Sequence, residues 1–81
     1  MGYDIQINPT AEAFRISFDH FVLIDRYATD FEMKYCHIRR NRRLLAALRA
    51  LTPRDETEGH VILELIYRLE QGEIVELLFG W

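Results

Sequence analysis

Cys36 and His37 are the residue types of a metal centre or of a thiolate–imidazole nucleophile. Their spacing supports neither. Adjacent residues on a helix diverge by about 100°, and no second cysteine is available as a ligand. His20 and His60 stand at no ligand spacing from them or from each other. Asp55, Glu56 and Glu58 would need a pocket and altered pKa values to act as acids or bases, and in sequence they read as an acidic surface connector. A glycine-rich phosphate loop, a nucleophile elbow and a zinc-binding His-Glu-x-x-His are all missing from the sequence. The expectation is a chain that is not an enzyme and needs neither metal nor cofactor.

The chemistry the chain does concentrate is cationic. No acidic residue lies between Met33 and Pro53, whereas Lys34, Arg39, Arg40, Arg42, Arg43 and Arg49 do, and Arg54 follows. The segment 34–54 carries +7, against −4 before it and −6 after it, which sums to the formal −3. Nine of the ten basic residues are arginine, whose planar fork grips carboxylate or phosphate with two hydrogen bonds. The block either neutralises the flanking acidic segments or meets an anionic partner. Arg39, Arg40, Arg42, Arg43 and Arg49 are therefore the candidate partner-binding residues. Trp81 joins them, at the end of the bulky apolar run Leu77-Leu78-Phe79-Gly80-Trp81. That run docks either in the chain's own core or against a second subunit. Glu64, Glu70, Glu73 and Glu76 make the edge of a predicted terminal hairpin acidic, which either guards against edge-to-edge pairing or mimics a phosphate track that binds a basic partner.

The elements that carry these residues belong to one domain, spanning 1–81. Hydrophobic content of 49% with ten aromatic residues suffices for a folded core. Tyr3, Ile5 and Ile7 alternate with polar residues, which predicts a strand ended by Asn8-Pro9. Thr10 is a candidate cap for a helix over 11–26, with Phe14, Phe18, Phe21 and Val22 at helical spacing. The competing pattern is two strands, because Phe14, Ile16 and Phe18 also alternate. Asp30 is a candidate cap for a second helical segment with Phe31, Tyr35 and Ile38 on one face. Leu44, Leu45, Leu48 and Leu51 form a stripe rotated away from it. The span 31–51 is then either one helix with two neighbours, or a short element to Ile38 followed by a helix from Arg42 capped by Asn41. Thr52-Pro53 stops it. Residues 53–59 read as a polar connector. Beyond them, alternation from Val61 to Leu69 favours a hairpin, turning at 70–73 and returning over 74–79. Its rival is a helix at 57–71 ended by Gly72, with a Glu64–Arg68 pair. The resulting expectation is a small α+β domain in the order strand, helix, helix, hairpin, with an antiparallel sheet packed on the helices.

Two segments resemble the RelE/ParE superfamily of small bacterial toxins. Tyr-Asp-Ile-Gln-Ile-Asn-Pro-Thr-Ala-Glu at 3–12 is similar to that family's first strand, proline-containing turn and first helix. The segment 60–80, His-Val-Ile-Leu-Glu-Leu-Ile-Tyr-Arg-Leu-Glu-Gln-Gly-Glu-Ile-Val-Glu-Leu-Leu-Phe-Gly, is similar to its terminal hairpin. The RNA-cleaving members use basic, aromatic or histidine residues in or after the late strands. Here that stretch holds Glu73, Glu76, Phe79 and Trp81, so no catalytic residue carries over. The resemblance implies the branch whose members bind protein targets, in a bacterial, phage or plasmid setting.

Function is therefore expected to be binding: a small regulatory or inhibitory protein, toxin-like or inhibitor-like, with a protein partner. The alternatives are a nucleic-acid-binding protein using Arg39–Arg49, and an mRNA-cleaving toxin. The aromatic excess also allows a homodimer. With one cysteine, no secretory pattern and no apolar run of membrane-spanning length, the expectation is a cytoplasmic protein without a membrane partner.

Overall fold

The computed structural model describes residues 2–7, 14–33 and 35–80. The elements in chain order are β1 (Gly2–Ile7), β2 (Phe14–Ser17), α1 (Phe18–Arg26), β3 (Ala28–Glu32), β4 (Tyr35–Ile38), α2 (Arg42–Ala50), α3 (Glu56–Glu70) and β5 (Val75–Gly80). The strands form one sheet in the order β2-β1-β5-β4-β3, and every pairing is antiparallel. The α+β class and the antiparallel sheet packed on helices are as the sequence predicts. The order of elements along the chain is not.

β1 forms where Ile5 and Ile7 alternate with polar residues, and both are buried. The predicted helix over 11–26 is replaced by β2 and α1 within the described part; Thr10 and residues 11–13 lie outside it. Residues 14–17 follow the strand alternation instead, pairing Phe14 with Ile5 and Ile16 with Tyr3. Ile16 is thereby buried in the core, whereas a helix over 11–26 with Phe14, Phe18, Phe21 and Val22 on its apolar face would turn it to the opposite side. Helical spacing takes over only at Phe18.

The helical segment predicted at 31–38 is a hairpin of β3 and β4. Asp30 and Met33 adopt left-handed backbone, with φ of 56° and 58°, and a right-handed helix cannot pass through such residues. Sheet pairing resolves the ambiguity: Cys36 lies beside Leu77 and Ile38 beside Val75, so β4 buries one row of its side chains. The option of a short element to Ile38 followed by a helix from Arg42 is the one the fold takes, with a strand as the short element.

The predicted terminal hairpin is a helix and a strand. Val61, Ile62, Leu65 and Leu69 are buried together at helical spacing, and Arg68 Nε donates to Glu64 Oε1 at 2.7 Å one turn away. The supposed connector supplies the first turn of α3. Its end is stopped at Gly72, φ 81°: the Gly72 N–H donates to the Leu69 carbonyl at 3.0 Å and the Glu73 N–H to Arg68 at 3.1 Å, a pair of bonds that closes a helix through a left-handed residue. The acidic hairpin edge accordingly does not exist. Glu64 and Glu70 lie on α3, and Glu76 lies on β5, at the centre of the sheet.

One face of the sheet, with Ile5, Ile7, Ile16, Cys36, Ile38, Val75 and Leu77, shares a single core with Ile24 of α1, the leucines of α2 and the apolar row of α3. Of the run from Leu77, Leu77 is fully buried in this core and Leu78 is half-buried. Trp81 lies outside the described residues. Among the described residues no helix is long and apolar enough to cross a membrane.

Candidate functional site

The arginine block occupies the entry to α2 and its two ends. Asn41 starts the helix: its side-chain oxygen accepts from the N–H groups of Arg43 at 2.9 Å and Leu44 at 3.0 Å. This satisfies two of the donors a helix leaves open at its start. Leu44, Leu45 and Leu48 bury one face, which turns the arginines to solvent.

The block then divides in two. Arg39 Nη1 donates to Asp30 Oδ2 at 2.6 Å and to Thr29 Oγ1 at 2.7 Å. That guanidinium holds the Asp30 carboxyl below its usual range. Arg49 Nη2 stands 2.8 Å from Glu70 Oε2, and Arg54 Nε 3.4 Å from Asp55 Oδ2. Arg40, Arg42 and Arg43 make no side-chain hydrogen bond or ion pair among the described residues. Arg42 and Arg43 also sit in the first turn of α2, where there is no acidic residue and where the peptide dipoles already present positive charge. Among the described residues this first turn is cationic and has no carboxylate paired to it.

Arg40, Arg42, Leu45, Arg49 and Glu70 line a half-open cleft of about 370 Å³. Leu45 gives it an apolar patch, and Glu70 engages Arg49. The chemistry available is recognition of a carboxylate or phosphate by guanidinium forks. Of the six predicted partner-binding residues, the fold gathers Arg40, Arg42 and Arg49 in this cleft and sends Arg39 to the β3–β4 hairpin. Arg43 stands exposed in the same turn as Arg42.

Cys36 and His37 are parted by strand alternation rather than by helical rotation. Cys36 is buried in the core, and burial, helped by the Asp25 charge, pushes its thiol up to about 11. His37 faces the other side of the sheet, where its Nδ1 is 3.4 Å from Asp30 Oδ2 and its Nε2 3.7 Å from Glu76 Oε2. Among the described residues no group of three or more His, Cys, Asp and Glu side chains is placed to hold a metal ion.

Glu58 is the residue the sequence analysis misplaces. It is fully buried, not part of a surface connector. Its carboxylate accepts from the Ser17 N–H at 2.7 Å and the Arg54 N–H at 2.7 Å, and lies 2.6 Å from His20 Nδ1. Burial alone would raise its carboxyl, but the Arg54 and Ser17 N–H groups and the His20 ring outweigh that and hold it below its ordinary range. The legible signal is Asp55-x-x-Glu58 ahead of an apolar run, the pattern of a helix-capping pair. Asp55 indeed accepts from the Glu58 N–H at 2.8 Å.

No family model, curated protein or solved structure matches this chain.

Proposed function

We propose that this chain is a small non-enzymatic regulatory or inhibitory protein that binds the acidic face of a protein partner through Arg40, Arg42 and Arg43. One observation carries the reading: within a seven-cation block, these three keep no carboxylate partner among the described residues, whereas Arg39, Arg49 and Arg54 each have one. A block that served only internal neutralisation would have used the carboxylates available to it.

A protein partner is favoured over nucleic acid by the surroundings. The net charge of −3 weighs against a long phosphate track more than against a local acidic patch. Tight backbone binding commonly draws on about six to ten phosphate contacts, and three free arginines fall short of that. Leu63 and Tyr67 stand exposed on α3, and tyrosine and arginine are enriched where proteins meet.

The test compares tagged wild-type chain with the triple variant R40E/R42E/R43E in quantitative co-purification from the native host. The reading expects a protein retained by the wild type and depleted at least tenfold with the variant, at an unchanged melting temperature. Equal recovery overturns it. A steeply salt-dependent gel shift with nucleic acid and no retained protein would favour the nucleic-acid reading instead.

A further inference from the structure

Glu70 places one of the chain's own carboxylates on the arginine cleft. It reaches Arg49 at 2.8 Å, and both side chains remain about half exposed, at 44% and 53%. An exposed pair of this kind adds little to stability, so a competing carboxylate can displace it cheaply. The cleft thus already demonstrates the group it receives.

Its neighbourhood adds an apolar half. Leu63, Tyr67 and Glu70 follow one another at the i, i+4 and i+7 spacing of one helix face. Leu63 and Tyr67 are 63% and 62% exposed. On α2, Arg42, Leu45 and Arg49 follow at i, i+3 and i+7. Each row covers two helical turns, about 10 Å, and the two rows meet at the Arg49–Glu70 pair.

We propose that this two-helix surface receives an acidic amphipathic helix of the protein partner. Its carboxylates engage Arg40 and Arg42 and displace Glu70 from Arg49, while its apolar residues cover Leu63 and Tyr67. The proposal rests on the protein-partner reading above. A helix fits because its own side chains recur on one face every two turns, at the same rise as the rows beneath it. An extended strand covers that length in about three residues and turns alternate side chains away. Charge complementarity sets the sign, because Arg40 and Arg42 have no carboxylate partner among the described residues.

The experiment is an amide-resolved NMR titration of the full chain with an 18-residue synthetic helix carrying Glu and Leu rows. Controls are its Gln-for-Glu and Ser-for-Leu analogues and a single-stranded oligonucleotide. The Glu/Leu helix should shift the amides of 40–49 and 63–70, and either analogue should bind at least tenfold more weakly. Glu70→Gln should tighten binding several-fold by freeing Arg49. Tyr67→Ser, a change at an exposed position, should weaken it several-fold without loss of fold. If the helix binds in an arginine-dependent way while Glu70→Gln and Tyr67→Ser leave affinity unchanged, this proposal falls and the protein-partner reading stands. If the oligonucleotide alone binds, both fall. If no probe shifts these amides at millimolar concentration, the proposal is overturned, and the co-purification test decides the broader reading independently.

Discussion

Nδ1 of His20 lies 2.6 Å from Oε1 of Glu58, so the opening turn of α1 is joined to the opening turn of α3 through a fully buried carboxylate. The same carboxylate receives the N–H groups of Ser17 and Arg54. One side chain therefore fixes the β2–α1 junction, the Pro53-Arg54 approach and the start of α3 relative to each other. Those contacts set the orientation of α3, and with it the position of Glu70 against α2.

Glu58→Ala should be the most damaging single change in this region. It removes the acceptor of two part-buried backbone donors and of the His20 ring, at a cost of about 3 kcal/mol. For a domain of this size the thermal midpoint should fall by roughly 15 °C. A circular-dichroism melt reads it, and a midpoint within roughly 3 °C of wild type would contradict the linking role.

Acid should find the same place. The Glu58 carboxyl is held below its ordinary value of 4.5 in the folded chain. Its contribution is therefore fully present above the unfolded-state value and is lost as pH falls through the folded one. Asp55, lowered by the Glu58 N–H, and Asp30, lowered by Arg39, act in the same direction. Urea midpoints should be level above about pH 5.5 and drop between about pH 5 and pH 3. Glu58→Gln should flatten that drop; an unchanged profile in the variant would assign it elsewhere.

Two helix ends are predicted to be independently weak points. Asn41→Ala removes the acceptor for two N–H groups at the start of α2 and should cost about 1 kcal/mol. Gly72→Ala meets no neighbouring atom but forces a side chain onto φ 81°, which should cost about 1 kcal/mol. The sites share no partner, so the double variant should show the sum in denaturant unfolding.

Cys36 should be inert in the folded chain. It is 1% exposed, and its thiol is pushed up to about 11. Alkylation at pH 8 should proceed only at the rate of opening and become rapid in denaturant. Rapid labelling of the native protein would mean that β4 is not buried as described.

The parts of this fold that were legible in sequence are those with one dominant period. β1, the start of α2 at Arg42 with Asn41 as cap, and the α+β class follow from local pattern. What was not legible turned on partners distant in sequence. Val61–Leu69 alternates as a strand and also repeats as a helix; burial of Val61, Ile62, Leu65 and Leu69 against the sheet selects the helix. Phe31–Ile38 became a hairpin because β5 offers Val75 and Leu77 as neighbours. The arginine cluster was visible as composition, but its division was not. Which guanidiniums find a carboxylate depends on where Asp30 and Glu70 arrive in space.

The central claim is that the unpaired arginines form the binding surface, and its most direct measurement is amide hydrogen exchange of the chain free and bound to its co-purified partner. The account predicts new protection over 40–49 and 63–70, with β3 exchanging as in the free chain. Protection confined to β3 and α1, with 40–49 unchanged, would contradict it.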